Sequence, residues 1–542
     1  LVWFPAFVAT IVLMVAAVAI AAVIGLAGAW AASTVQPSGV NPRKLAEPTS
    51  TERLFASTSS RFCGWLGARC VGWLGARCVG WFLGWFYWAL VVAVVTPLIL
   101  HAAAWEATAG KFGIGMLTQT GARVTAGDTY GVFAGFVATA WLHGLHGGAM
   151  VGLATLLGIS RLPRSIREQA CLDAGPWRRW WRVLLPLAAP WWTVALLATA
   201  GLAATEMTVA DLYGYRTIAD EFYRFFAVEP TLPSILVTCF LPMVLAATIV
   251  TYVFVSRRRI AYANAFREPH VDVDVVVDRA GGMTRFVAVV VMVVIAGLLV
   301  LIPLLGLINN IGQVVVRSGD DVEVAWSLKM ALSRLWEAPR LFAAEYRWTT
   351  IISVASSVAS LAIAWPLAAW VRRRARAAVG VDAMMVALIC VPGPIAGLMV
   401  VHLFQFEVPG FRFLYQQTIL PTMIALSFRT LPITYWLVKA GYVGIETSTL
   451  ELAAMETTPL KSFWFIERPL LMRSLVLAGV AAAVASSGDL PATLPVVPAG
   501  VTTVAVRLFG LLHSGARYQE AALSLWYLAA LFIVTRIAIR KL

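Results

Sequence analysis

Long apolar runs broken by short polar islands organise almost the whole chain. The runs lie near 3–32, 82–103, 131–158, 183–204, 233–255, 286–308, 348–371, 382–405, 419–438, 471–494 and 520–538. About 20 apolar residues coiled as an α-helix match the hydrocarbon layer of a bilayer. Strands of a membrane barrel would instead alternate every second residue. The pattern therefore predicts an all-α polytopic membrane protein with eleven clear spans.

Two of the polar islands are the same island. SIREQACLDAGPWRRWWRVLLPL at 165–187 and STLELAAMETTPLKSFWFIERPL at 448–470 stand 283 positions apart. Ser165, Glu168, Ala170, Pro176, Trp181, Pro186 and Leu187 recur as Ser448, Glu451, Ala453, Pro459, Trp464, Pro469 and Leu470. Asp173 recurs as Glu456. Each copy has a helix-forming stretch, then a breaker pair, Gly175-Pro176 or Thr458-Pro459, then an aromatic-basic stretch. Proline ends one helix and opens the next, so two short helices are expected to lie across the membrane face. One reading is an interfacial amphipathic helix whose Trp residues mark the headgroup belt. Repetition at one offset favours the other reading, an elbow that docks into a partner's groove. Lipid-facing helices repeat by composition alone, whereas a loop repeats when something must read it twice.

Basic residues then fix the sides. Arg-rich segments at 161–182, at 257–259, at 372–376 (RRRAR) and in the tail (Arg536, Arg540, Lys541) are expected to be cytoplasmic. Counting two spans between successive basic segments places both islands and the C-terminus on that one side. The halves are thus parallel repeats rather than inverted ones. Residues 1–255 form the first repeat, the charged stretch 256–285 is a cytoplasmic linker, and 286–542 form the second. Two six-helix repeats, about 12 helices in all, need one more span near 55–80. That region carries an eight-residue tandem, GWLGARCV at 64–71 and 72–79, with Arg69 and Arg77 inside it. It reads either as a degraded span whose arginines snorkel to the cytoplasmic edge or as a locally corrupted or duplicated sequence, and the 6+6 layout favours the span. The first apolar run passes straight into a Pro/Ser/Thr-rich stretch and is expected to be an anchor rather than a cleaved signal.

Composition narrows the class. Mean hydropathy is +0.80 and only 13% of residues are charged, which excludes an ordinary soluble protein. A net charge of +14 on a soluble chain would point to nucleic acid. Here the arginines sit in short inter-span loops, so lipid is the expected partner and no nucleic acid is. The six Cys are scattered without zinc spacing or a disulfide framework.

The islands resemble the cytoplasmic coupling ("EAA") loops of permease subunits in binding-protein-dependent ABC importers. Two in one chain resemble a fused permease of the ferric-iron transport type, a branch related to thiamine permeases. The resemblance spans roughly 85–255 and 345–538. HAAAWEATAGKFG at 101–113, ATEMTVADLYGYRTIADEFYRFF at 204–226 and SSGDLPATLPVVPAGVTTVAVRLFGLLHSGARYQEAA at 486–522 add to it. The match departs from the family's Glu-Ala-Ala, which stands as Gln169-Ala170-Cys171 and Leu452-Ala453-Ala454. Its glycine has a counterpart in Gly175, but Thr458 stands in the second loop. The resemblance implies a type I importer permease fold in a bacterial inner membrane. It implies two cytoplasmic ATP-binding subunits docked on Glu168, Ala170, Asp173, Gly175, Pro176, Glu451, Ala453, Glu456, Thr458 and Pro459. It also implies a periplasmic solute-binding protein, and ferric iron as solute, with thiamine or polyamine as alternatives. The chain has no GxxxxGK[ST], so ATP and Mg are expected on the partners, with no cofactor in this chain and no enzyme activity of its own.

Other candidates are weaker. His143 and His146 share a helix face, with a metal site set against polar packing beside Gly144, Gly147 and Gly148. Packing is favoured, and no metal is expected. Glu206 and Asp489, also 283 apart, are either acids of a cationic-solute pathway or braces of the turn after a span. Asp211, Asp220 and Glu221 follow Glu206 toward the external side, with Arg216 and Arg507 as neutralising partners. The mixed-charge stretch 309–347 is expected to be solvated, the alternative being a contact with the binding protein. A membrane enzyme would concentrate His, Asp or Lys at one interface, and no such concentration occurs. A scaffold or channel without ATP coupling remains the rival class.

Overall fold

A computed structural model describes residues 3–35, 81–110, 129–226, 231–265, 282–318, 321–372 and 374–540. The expected span near 55–80, its tandem and the middle of the expected linker lie outside the described residues. Each of the eleven apolar runs falls on helix. The chain is an all-α polytopic membrane protein: among the described residues seven helices are long and apolar enough to cross a bilayer, and three bent pairs join them.

The first half runs α1 (Trp3–Val35), α2 (Trp81–Val95), α3 (Leu98–Ala109) and α4 (Thr129–Ser160). The first elbow follows, with α5 (Arg164–Asp173) and α6 (Pro176–Leu187), then α7 (Ala189–Thr205). The short helices α8 (Thr208–Leu212) and α9 (Ile218–Glu221) lead to α10 (Leu232–Ala265). The second half opens with α11 (Gly282–Gly312), an antiparallel hairpin of β1 (Gln313–Ser318) and β2 (Asp321–Trp326), and α12 (Leu328–Leu341). It continues with α13 (Ala343–Arg372), α14 (Ala375–Ile389), α15 (Gly393–Phe404), α16 (Phe411–Gln417) and α17 (Leu420–Val443). Its elbow has α18 (Thr447–Glu456) and leads into α19 (Ser462–Ser487). Then come α20 (Leu490–Thr493), α21 (Val504–Ser514) and α22 (Arg517–Arg540).

One bent pair in each half turns by more than 100°. The α2–α3 pair bends by 110° before Pro97, and the α14–α15 pair bends by 101° at Pro392. Proline lacks the N–H that would continue the ladder, which places the break. The second pair still traverses the bundle. Asp382 near its start bonds Lys439 close to the end of α17, and Phe404 at its finish packs on Phe411 and Tyr415 before α17 begins.

The halves interlock reciprocally. Ile99, Leu100 and Ala103 of the first broken span lie in a core with Leu508 and Leu523 of α21 and α22. Val386 and Cys390 at the second broken span pack on Ala246 and Ile249 of α10. Within the first half, α1 and α4 meet through small residues. A Cβ on Gly25 would come within 2.6 Å of the Gly148 carbonyl oxygen, so only glycine allows that approach.

Contacts carry both elbows to one face. Trp30, near the end of α1, meets Trp177 of the first elbow. Gly28 lies against Phe86 of α2, and nearby Trp88 packs on Phe532 and Arg536 at the end of α22. At the opposite end of α22, Leu523 accepts a hydrogen bond from Tyr346 at the start of α13 (3.2 Å). The far end of α13 therefore returns to the level of Arg536, and there Arg372 lies 3.6 Å from Glu467 of the second elbow.

Candidate functional site

The two elbows are one structure built twice. Helices α5 and α18 have identical bounds at the 283-residue offset, Arg164–Asp173 and Thr447–Glu456. Each ends on an extended residue, Ala174 (φ −142°, ψ 142°) or Thr457 (φ −138°, ψ 160°). Gly175 is extended in turn before Pro176, because the proline ring disfavours α geometry in the preceding residue. A π-helical stretch follows in both copies, Trp180–Leu184 and Ser462–Glu467.

The same small side chain seats each elbow. Ala170 and Ala453 are buried, while Glu451, Glu456 and Asp173 are exposed and Glu168 is half-buried. Gly175 and Thr458 are exposed at the breaker, and Pro176 is half-buried. Pro459 opens the turn Pro459–Lys461. Around the acids stand exposed apolar side chains: Leu172, Trp177 and Trp181 in the first elbow, and Leu452, Met455, Leu460 and Phe465 in the second. Such surface on a polar island is costly in water unless lipid or protein covers it.

Beneath this surface the anchoring differs. In the second elbow Glu467 is buried, receives the Tyr442 hydroxyl at 2.6 Å and lies 3.6 Å from Arg372. Phe463 stacks on Trp365 at 3.9 Å between centroids. In the first elbow the equivalent of Glu467 is Leu184, and buried Arg179 donates to Cys171 Sγ at 2.8 Å. A bend of 73° at Ala188 separates α6 from α7, whereas α19 runs on as one helix. Sequence reading missed Trp30 and Trp365, which lie toward the ends of α1 and α13 and hold the two elbows. Their separation is not 283, so the repeat offset does not signal them.

Glu206 and Asp489 occupy equivalent places on the opposite face. Glu206 accepts from the Thr208 and Val209 N–H groups (2.7 and 3.0 Å), and His143 Nε2 lies 3.8 Å away. Asp489 accepts from Ala492 N–H at 3.2 Å and from Arg429 Nε at 2.9 Å. Both acids thus cap the short helix after a span and meet a base from α4 or α17. Their geometry is that of braces. His143 bonds the Thr139 carbonyl, and His146 meets His101 edge-on at 5.5 Å. Among the described residues no three His, Cys, Asp or Glu side chains converge as metal ligands.

Asp211 joins the halves on this opposite face. Its carboxylate bonds Arg224 and lies 3.3 Å from His513 Nε2 of α21. Arg224 also bonds buried Asp220 at 2.9 Å, and burial raises the Asp220 carboxyl to about 6. The hydrogen bond with Asp211 raises His513, against burial. Burial would raise Asp211, but His513 and Arg224 together hold it below its ordinary value. A raised His513 stabilises the contact fully below the free imidazole value near 6.5 and loses it as pH climbs through the raised value. A lowered Asp211 adds stability above the ordinary carboxylate value, lost as pH falls through the lowered one. Hydrogen exchange of 504–514 should therefore quicken, beyond its intrinsic dependence, as pH rises past neutrality, and His513→Gln should abolish that extra dependence. An identical profile in the variant would remove the contact from consideration.

Compared with known proteins, the chain is matched by no family model and by no curated protein.

Proposed function

We propose that this chain is the membrane-spanning permease of an ATP-driven importer, coupled to cytoplasmic ATPase subunits through its two elbows. The carrying observation is the duplicated elbow, with helix bounds identical at the 283-residue offset and both copies on one face. Two docking arms on one face suit a pair of subunits whose closure must move two halves together. The reciprocal packing of the broken spans on α22 and α10 supports two parallel repeats turned about the membrane normal. In this reading the elbow face, the Arg-rich ends and the C-terminus are cytoplasmic in a bacterial inner membrane. A periplasmic binding protein delivers the solute, ferric iron by resemblance, to the opposite face. ATP and Mg are held by the partner subunits.

The test is purification of the full chain from its native membranes in mild detergent. ATPase activity should accompany the wild type and be lost from a Glu168→Arg/Glu451→Arg double variant of unchanged heat stability. Retention of the same ATPase and of solute uptake by that variant would defeat the proposal.

A further inference from the structure

Helix α12 has three faces rather than two. One meets the bundle: Ala331 and Ala338 are buried, and Arg334 donates to the Ile311 and Gln313 carbonyls (2.8 and 2.7 Å) while lying over the Tyr518 ring. A second is polar and exposed, with Lys329, Ser333, Glu337 and Arg340, and Ser333 bonds Glu337 at 2.7 Å. Between them runs an apolar stripe at helical spacing, Leu328, Leu332 and Trp336, which are 59%, 58% and 74% exposed. The sequence expectation of a solvated stretch over 309–347 missed this stripe, because the charges mask it when read in line.

The span that α12 packs against also presents apolar side chains outward: Leu301, Leu305 and Ile308 of α11 are exposed. Trp326 donates its indole N–H to the Ile308 carbonyl (3.4 Å), and Trp526 donates to Leu335 (2.8 Å). Tryptophans with an apolar body and a bonded N–H collect at the depth where acyl chains meet headgroups. Taking this Leu and Trp surface out of water is favourable.

We propose that α12 lies in the bilayer interface on the face opposite the elbows. Its Leu328–Leu332–Trp336 stripe dips into the acyl chains, and Lys329 and Arg340 sit among lipid phosphates. The occupant of the stripe is lipid, because α12 packs on a membrane-spanning helix with exposed apolar side chains, two bonded indoles flank it, and its polar border has the amphipathic order of an interfacial helix. The helix then ties α11 to α22 at a fixed depth.

Spin labels test this on the full chain in phosphatidylcholine/phosphatidylglycerol vesicles, with the six native cysteines replaced by serine. Labels are placed by Leu332→Cys, Trp336→Cys, Ser333→Cys and, as a lipid-facing check of folding, Leu305→Cys. Labels at 332 and 336 should collide with oxygen several-fold more often than with a water-soluble nickel chelate, as at 305, while 333 shows the reverse. Nickel collisions at 332 and 336 equal to those at 333 would make the stripe solvated and overturn the proposal. Loss of both collision rates at 332 and 336, with 305 unchanged, would place protein on the stripe and overturn it equally.

Discussion

Replacing Arg429 by methionine should destabilise the fold by about 3–5 kcal/mol, the cost of stripping one partner from a buried ion pair. Arg429 stands on α17, and its guanidinium holds three groups at once. It donates to Asp489 at 2.9 Å, to the Ile389 carbonyl at 3.2 Å and to the Val391 carbonyl at 2.6 Å. The last two are orphaned because α14 stops there, before Pro392. At a helix end inside a membrane no water replaces the missing ladder partners. Methionine keeps the apolar length of the side chain and leaves the Asp489 carboxylate and both carbonyls uncompensated. Arg429→Lys should fall between, since an ammonium restores charge without the planar fork. Adding Asp489→Asn to Arg429→Met should recover part of the loss. Unfolding free energies in a denaturing-detergent titration read the three variants against the wild type; a cost for Arg429→Met under about 1 kcal/mol would show that the break is held by something else.

The second large effect is expected at Glu467→Leu, again about 3–5 kcal/mol for an uncompensated buried partner. Leucine is the residue at the matching position of the first elbow, Leu184. The substitution therefore makes the two copies more alike in sequence, and repetition alone predicts tolerance. The contacts predict the opposite. Glu467 is 3% exposed, accepts from the Tyr442 hydroxyl and lies beside Arg372, so leucine strands a buried phenol and a guanidinium. At the matching place of the first elbow, Leu184 carries no carboxylate whose loss could strand a partner. Amide exchange across 447–467 should quicken by about two to three decades, since each 1.4 kcal/mol is tenfold, while 164–184 stays unchanged. Equal exchange in the variant and the wild type would mean that Trp365 stacking alone seats the elbow.

Much of the architecture was legible in the chain because a bilayer leaves the backbone few options. Each apolar run had to become a helix, and each did. The elbow was legible for a local reason: Gly175-Pro176 and Thr458-Pro459 dictate an extended residue and a restart whatever surrounds them. The braces were half legible. Glu206 and Asp489 stood out as acids beside spans, but not their partners, because His143 and Arg429 come from a helix about 60 residues earlier. The bends of 110° and 101° were not legible as bends, since a proline within an apolar run also fits a straight span that is merely kinked.

By itself, then, the sequence determined the all-helical membrane class, the places of the spans and the existence of a duplicated polar elbow, each set by hydropathy or by proline within a few residues of where it acts. Tertiary structure alone decided that the broken spans interlock across the halves. It alone decided that Arg429 closes a helix end and that Glu467 anchors one elbow where leucine serves the other. It also gave α12 its third face. These depend on which distant side chain arrives to satisfy a buried carbonyl or carboxylate, and that partner is chosen by packing in three dimensions.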